Sequence, residues 1–420
     1  MNPDCIMKVS LLILVMLVTT SSFGAGQRTL PNASRLAEAQ NRFATDLYAQ
    51  LRQQPGNLFF SPESIATAMT MTYIGAKEET AAEMANVLHL IDLHRENQER
   101  ALPLRTTVLE KYAEQTKCFS EQQRNVLEFH TANALWVKAD YPLNRDFVKD
   151  VKDSFKATLE PVDFRDEPAT RNRINGWVSD QTSSKIQNLI APGLLKPDTR
   201  LVLTNAIYFR AAWEEQFRKG NTKKEKFHVS PVKDVDVEMM NQTHFCSLAE
   251  LDGFRLLNIP YEKNQASLLI LLPNEVDGLA ALEGSITSEK LASWIEKSKS
   301  VSVALSLPKF KLSSKFELSS ALTALGMRKA FMAGQANFTG IANVLNEPLY
   351  IGLAIHQAFV DLREEGTEAA AATAVIAPTA APRPAEPVSF VADRPFVYII
   401  RDNRSGGILF MGRLADPSRD

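Results

Sequence analysis

The sequence is poor in the residues that catalysis and metal binding draw on. Its 420 residues hold three cysteines, Cys5, Cys118 and Cys246, and six histidines, His89, His94, His130, His228, His244 and His356. Neither CxxC nor HExxH spacing occurs, so no zinc or dithiol centre is signalled. There is no GxSxG elbow, no phosphate-cradling GxxxxGK[ST] and no GxGxxG following a strand. No motif ties a histidine to a nucleophilic serine or cysteine, and the chain is not expected to be an enzyme, although a triad is assembled in space rather than in sequence. Excess charge is also missing. Forty-seven Lys and Arg against 49 Asp and Glu leave a net charge of −2, which argues against non-specific nucleic-acid binding. The densest basic cluster, Arg218, Lys219, Lys223, Lys224 and Lys226, is interrupted by Gly220 and Glu225 and reads as a solvated turn rather than a polyanion site.

What is present begins with an export signal. Lys8 precedes an uncharged apolar run, Val9 to Val18, and small residues follow to Gly24 and Ala25. The run is too short to span a membrane. Residues 1–24 are therefore expected to be a signal peptide, and the protein to be secreted, without a membrane partner. Residues 25–420 show no linker, composition break or internal repeat before the C-terminal quarter, and read as one domain despite their length.

Periodicity assigns helices to 34–54, 64–76, 78–90, the first part of 146–164, 171–186 and 316–327. The stretch 78–90 carries a capping-type start. Strand patterns cover 129–143, the end of 146–164, and 201–209, 254–261, 267–273 and 301–312. Runs of helices followed by runs of strands indicate an α+β fold rather than a doubly wound sheet.

The most informative stretch is Arg363 to Phe390, REEGTEAAAATAVIAPTAAPRPAEPVSF. Its Glu-Ala-Ala-Ala-Ala run favours a helix, and Pro378, Pro382, Pro384 and Pro387 favour an extended loop or linker. Written as a strand, one face carries Thr367, Ala369, Ala371, Thr373, Val375 and Ala377, all small or β-branched. PFVYIIRDNRSGGILFMGRL (395–414) then reads as two core strands joined by a Gly406-Gly407 turn. A long exposed segment feeding a core hairpin points to a functional loop.

At these residues the chain resembles the serpin family. Four motifs carry the likeness in order and spacing: NLFFSPESIATAMTMTYIGAK (57–77), LTNAIYFRAAWEEQF (203–217), EEGTEAAAATA (364–374) and FVADRPFVYIIRDNRSGGILFMGRL (390–414). The resemblance implies a fold of about nine helices and three β-sheets with a large central sheet. It also implies an exposed reactive loop, here 364–390, and inhibition of a serine protease as a suicide substrate. By the same resemblance Ser61, Ser64, Asn205 and His356 form a buried network beneath the point where the sheet opens, and Trp213 lies where the loop joins it. The family fold does not depend on disulfides, so Cys118 and Cys246 are expected to remain thiols. The region 100–125, which in some members binds glycosaminoglycans, is mixed in charge, and activation by such polymers is not expected. Asn32, Asn241, Asn337 and Asn403 stand in N-x-[ST] sequons.

The resemblance further implies the mechanism. The target enzyme attacks the loop, and cleavage frees the hinge, Glu364, Gly366, Thr367, Glu368, Ala369, Ala370, Ala371, Ala372 and Thr373, so that Thr367 to about Ala377 enter the sheet as a new strand. No Pro or inward-facing charge interrupts that hinge, which favours an inhibitor over a carrier, storage or chaperone relative. Counting from Gly366 as inhibitory relatives do places the scissile bond at Ala380–Ala381, flanked by Thr379 and Pro382. A small residue there suits an elastase-like or subtilisin-like pocket. The rival is Arg383, which would draw a trypsin-like enzyme but is followed by Pro384. The same acyl trap would hold a cysteine protease. No cofactor is expected. The protein should be a monomer, with loop insertion into a neighbour's sheet as its route to polymers.

Overall fold

The computed structural model describes residues 31–93, 103–123, 127–367 and 386–419. The expected signal peptide and the loop positions Glu368, Ala369–Thr373 and Thr379–Arg383 lie outside the described residues. Helices in chain order are α1 (Pro31–Leu51), α2 (Pro62–Tyr73), α3 (Glu78–Val87), α4 (Leu104–Gln123), α5 (Arg145–Phe155), α6 (Glu167–Gln181), α7 (Leu279–Ser285), α8 (Ser288–Glu296) and α9 (Ser319–Ala324). The first strands are β1 (Leu58–Phe60), β2 (Glu128–Lys138), β3 (Thr158–Val162), β4 (Leu201–Ala212), β5 (Lys223–Ser230), β6 (Lys233–Leu251), β7 (Phe254–Pro260) and β8 (Ala266–Pro273). They are followed by β9 (Lys299–Pro308), β10 (Phe310–Glu317), β11 (Ile351–Arg363), β12 (Gly366–Thr367), β13 (Val388–Val391), β14 (Phe396–Asp402) and β15 (Ile408–Leu414).

Local chemistry explains where several helices start and stop. Asn144 caps α5 by accepting from the amides of Asp146 and Phe147, and Lys156 closes the helix in the left-handed region. Between them Phe147, Val151 and Phe155 recur every four residues and form the buried face. Ser61 caps α2, whose first helical residue is Pro62, a position where the missing N–H has no cost.

The strands make two hydrogen-bonded sheets. One has the order β10-β11-β12-β4-β2-β3, with β11 and β4 parallel. The other runs β1-β15-β14-β8-β7-β6-β9-β13, with β5 paired to β6. The 19-residue β6 belongs to two lobes of this second sheet: Met239–Leu248 pair with β9 and Ser247–Leu251 with β7. One central sheet and two lobes joined through β6 correspond to the three sheets the family resemblance implies.

Some sequence expectations require correction. The stretch 301–312, read as one strand, belongs to two: β9 ends at Pro308 in one sheet and β10 starts at Phe310 in the other. Proline removes the donor that would continue the ladder and lets the chain change sheets. The helix expected over 316–327 shrinks to α9, because Phe316 and Glu317 pair with His356 and Ile355 of β11. The capping-type start of 78–90 is not realised, since Lys77 supplies no side-chain cap. The hairpin β5–β6 had no assignment, and the basic cluster read as a turn is one only around Lys219: Lys223, Lys224 and Lys226 lie on β5. Cys118 and Cys246 both keep their thiols. Asn403 is buried and donates to Asn264 and to Ser267 Oγ at 2.7 Å, so its sequon is closed to a glycan in this fold.

Candidate functional site

The described part of the loop begins inside the central sheet. Gly366 and Thr367, as β12, pair antiparallel with Arg363 and Leu362 of β11 on one side and with Ala212 and Ala211 of β4 on the other. Immediately below, β11 and β4 pair directly with each other, from Ile351 opposite Leu201 to Phe359 opposite Tyr208. The hinge is thus seated as the first rung of a strand whose continuation is occupied by a β11–β4 ladder. Gly366 makes this geometry attainable. Its φ is +147°, and a Cβ at that position would stand 2.1 Å from the Ala211 carbonyl oxygen.

Thr367 is fully buried, and its hydroxyl shares a 2.7 Å hydrogen bond with the hydroxyl of Tyr261. Burial raises the Tyr261 pKa, so the phenol keeps its proton for that bond. Tyr261 stacks on Trp213 at 4.6 Å between ring centroids. Trp213 fastens the turn before the hinge: its indole Nε1 donates to the Arg363 carbonyl at 2.9 Å, and its backbone N–H donates to that of Glu365 at 3.0 Å.

A set of ionic contacts holds the same turn. Glu364 is buried, accepts from Thr222 Oγ1 at 2.7 Å, and lies 3.2 Å from Lys309 Nζ. Burial alone would raise its pKa, but these donors outweigh it and keep the carboxylate ionised. Lys309 likewise stays charged, since its carboxylate partners Glu238 and Glu364 outweigh its desolvation. Glu365 pairs with Lys219 at 2.6 Å. Lys219, read from sequence only as part of a solvated turn, therefore meets the hinge.

About six residues along the sheet, the four residues of the expected network meet. His356 of β11 lies opposite Asn205 of β4. Its Nε2 accepts from the Ser61 amide at 3.2 Å, which leaves the proton on Nδ1, facing Asn205 Oδ1. Complete burial drives the imidazole pKa down to about 3, only partly offset by the hydrogen bond to Asn205, so the ring is neutral. The Asn205 amide donates to Ser64 Oγ at 2.6 Å, to the Ser64 carbonyl at 3.1 Å and to Asn133 Oδ1. Ser61 Oγ donates to the Leu409 carbonyl at 2.7 Å. One connected set of polar groups thus ties α2, β2, β4, β11 and β15 under the seam that lies beyond the hinge.

Asn133, Tyr261, Thr222 and Lys309 were not singled out from sequence. No local motif marks them, and each reaches its partner across a long stretch of chain. Tyr261 and Lys309 do stand at strand ends with polar heads, the one signal that was available.

Comparison with known proteins agrees with this geometry. The family model described as serpin (serine protease inhibitor) matches residues 38–417. Human Serpin B4 is 36% identical over 391 residues, which cover 91% of this chain and 99% of that protein. Bovine leukocyte elastase inhibitor is 36% identical over 396 residues, covering 91% and 100%. The crystal structure of Serpin48 from the insect Tenebrio molitor superposes with a TM-score of 0.78 at 32% identity, covering 91% of this chain and 98% of that one. A polar network under a two-strand seam, a hinge seated at its end and a family match across nearly the whole length lead to one conclusion: the chain belongs to the serpin family, a family described as serine protease inhibitors and not as enzymes.

Proposed function

We propose that this protein is a secreted suicide inhibitor of serine proteases with elastase-like or subtilisin-like specificity. The catalytic serine of the target attacks the carbonyl carbon of Ala380. The bond to the Ala381 nitrogen breaks, the amine leaves with a proton, and an ester joins Ala380 to the enzyme. The freed hinge then continues β12 down the seam.

The observation that carries this reading is the register of Gly366 and Thr367 on both flanking strands. Extended by alternate residues, it would set Ala369 between Val360 and Phe209, Ala371 between Ala358 and Ile207, and Thr373 between His356 and Asn205. Ala358–Ile207 and His356–Asn205 are pairs of the present ladder. Each inward position would receive a small side chain, and a threonine hydroxyl would arrive where the His356–Asn205 contact is broken. Insertion exchanges a solvated loop for ladder hydrogen bonds on both edges. Roughly a dozen inserted residues at ~3.4 Å each would move the ester by about 40 Å. Such a pull distorts the oxyanion hole of the attached protease, and deacylation stalls.

Export rests on residues 1–24, and the mass of the protein recovered from culture medium tests it. Arg383 stays the rival cleavage site. The mechanism is tested by Thr367→Arg. A guanidinium cannot take the fully buried place beside Tyr261 without a desolvation cost of several kcal/mol, so the yield of trapped enzyme should fall by about tenfold or more while cleavage continues. Undiminished trapping by this variant would refute insertion through this seam.

A further inference from the structure

Away from the hinge, the chain leaving α1 at residues 52–57 walls a cavity of about 630 Å3, together with the β5–β6 turn, α7 and the segment after β15. This volume lies in the range of small-molecule sites. Most of its charges are matched within the protein. Arg413 donates to the carbonyls of Gly56 at 2.7 Å and Arg52 at 2.9 Å, and to that of Gln54, and pairs with Glu283 at 3.1 Å. Lys233 and Arg419 both face Asp416, at 2.8 and 3.4 Å.

Arg52 differs. Its guanidinium has no hydrogen bond or ion pair among the described residues; its Nε is buried without an acceptor and closed to a ligand, so its terminal Nη groups are the donors it can offer, and Asp277 of the same lining also has no ion pair among the described residues. An arginine Nε is a permanent donor, and burying one without an acceptor is unfavourable. Arg52, Lys233, Arg413 and Arg419 set against Asp277, Glu283 and Asp416 leave the lining with one positive charge in excess. The remaining wall mixes apolar groups, among them Val229, Val276 and Leu279, with the polar Gln53, Gln54 and Ser230.

We propose that this cavity binds a small amphipathic monocarboxylate, its two oxygens held by the Nη1 and Nη2 groups of Arg52 and its hydrocarbon part against Val276, Leu279 and Val229. The planar fork of arginine matches a carboxylate in two-point geometry. A single negative charge balances the lining, whereas a phosphate or a polyanion would add charge beside Asp277, Glu283 and Asp416. The apolar part of the wall distinguishes a fatty or aryl acid from a simple inorganic anion.

The test is calorimetric titration of the intact protein with sodium octanoate, with octanol and octyltrimethylammonium as uncharged and cationic counterparts. Saturable binding of octanoate alone is expected, weakened about tenfold or more by Arg52→Gln. The Arg52 guanidinium has no partner to lose and its removal relieves an orphan donor, so the unliganded melting temperature of that variant should be no lower than that of the wild type. Ala280→Asp, an exposed change on the cavity rim, should weaken octanoate independently by placing a second carboxylate beside the first. Lack of saturable octanoate binding, equal binding of octanol, or binding unaltered in both variants would overturn the proposal.

Discussion

His356 shows how one side chain can hold a sheet shut without locking it. An imidazole kept neutral by burial both accepts from Ser61 and donates toward Asn205, so both ring nitrogens are satisfied while the seam is closed. The same arrangement makes stability depend on pH. The free imidazole takes up a proton near pH 6.5, and the buried one resists until about 3. The contribution is therefore complete above about 6.5 and is lost as pH falls from there toward 3, by about 1.4 kcal/mol per unit. His244, lowered to about 4 by burial, acts in the same direction. Urea unfolding at pH 7.5 and 5.0 should show that His356→Gln, though less stable at pH 7.5, loses about 2 kcal/mol less on acidification than the wild type. An equal loss in both proteins would mean that His356 does not titrate as described. At this scale the network was legible only through the family resemblance, which picked out Ser61, Ser64, Asn205 and His356; no local spacing joins them. The sequence was silent on Asn133 and Tyr261, which meet Asn205 and Thr367 only because the chain folds across 72 and 106 residues.

At the scale of the element, β12 is two residues long and held from three directions. Its backbone rungs depend on a glycine, since any side chain at 366 would strike the Ala211 carbonyl. Gly366→Ala should expel the hinge, and hydrogen exchange at the amides of Thr367 and Ala211 should quicken while the remainder of β4 stays protected. Unchanged protection at both amides would contradict the assignment. The ionic contacts are the second support. Glu364→Lys would set two cations beside each other at a buried position. Breaking a fully buried pair costs about 3–5 kcal/mol, and Lys309 is 28% exposed, so a loss of about 2–4 kcal/mol is expected. Chemical unfolding measures it, and Lys309→Glu added to Glu364→Lys should recover part of the loss. Elements with strong periodicity, such as the strands 254–261 and 267–273 and the hairpin at 395–414, were legible in sequence because one face of each is continuously apolar. The exchange of β9 for β10 at Pro308 was not, because alternation is the same on both sides of a proline and does not say which sheet each half joins. The helix misread over 316–327 has the same origin: Phe316, Leu318 and Leu322 fit a helical stripe, yet pairing with β11 takes the first of them.

Taken as a whole, the molecule holds its seam through direct β11–β4 pairing and buried polar groups, and the sequence that follows Thr367 has the composition of a missing strand. If that stretch completes the central sheet after cleavage, the uncleaved form is metastable and persists because the barrier to opening is high. The family followed from four motifs in order and spacing along the chain, and the α+β class from runs of helices followed by runs of strands. The target enzyme did not follow, because specificity rests on a few loop side chains that no packing constraint fixes. The central claim is trapping by insertion. The most direct measurement mixes the mature protein with an elastase-like, a subtilisin-like and a trypsin-like protease, resolves the products on denaturing gels and weighs the released C-terminal peptide. The account predicts a complex that survives denaturation with one of the first two enzymes, a peptide beginning at Ala381, and a higher melting temperature for the loop-cleaved protein. A peptide beginning at Pro384 would keep the mechanism and move the specificity to Arg383. Clean cleavage by all three enzymes, with no stable complex and no gain in thermal stability, would contradict it.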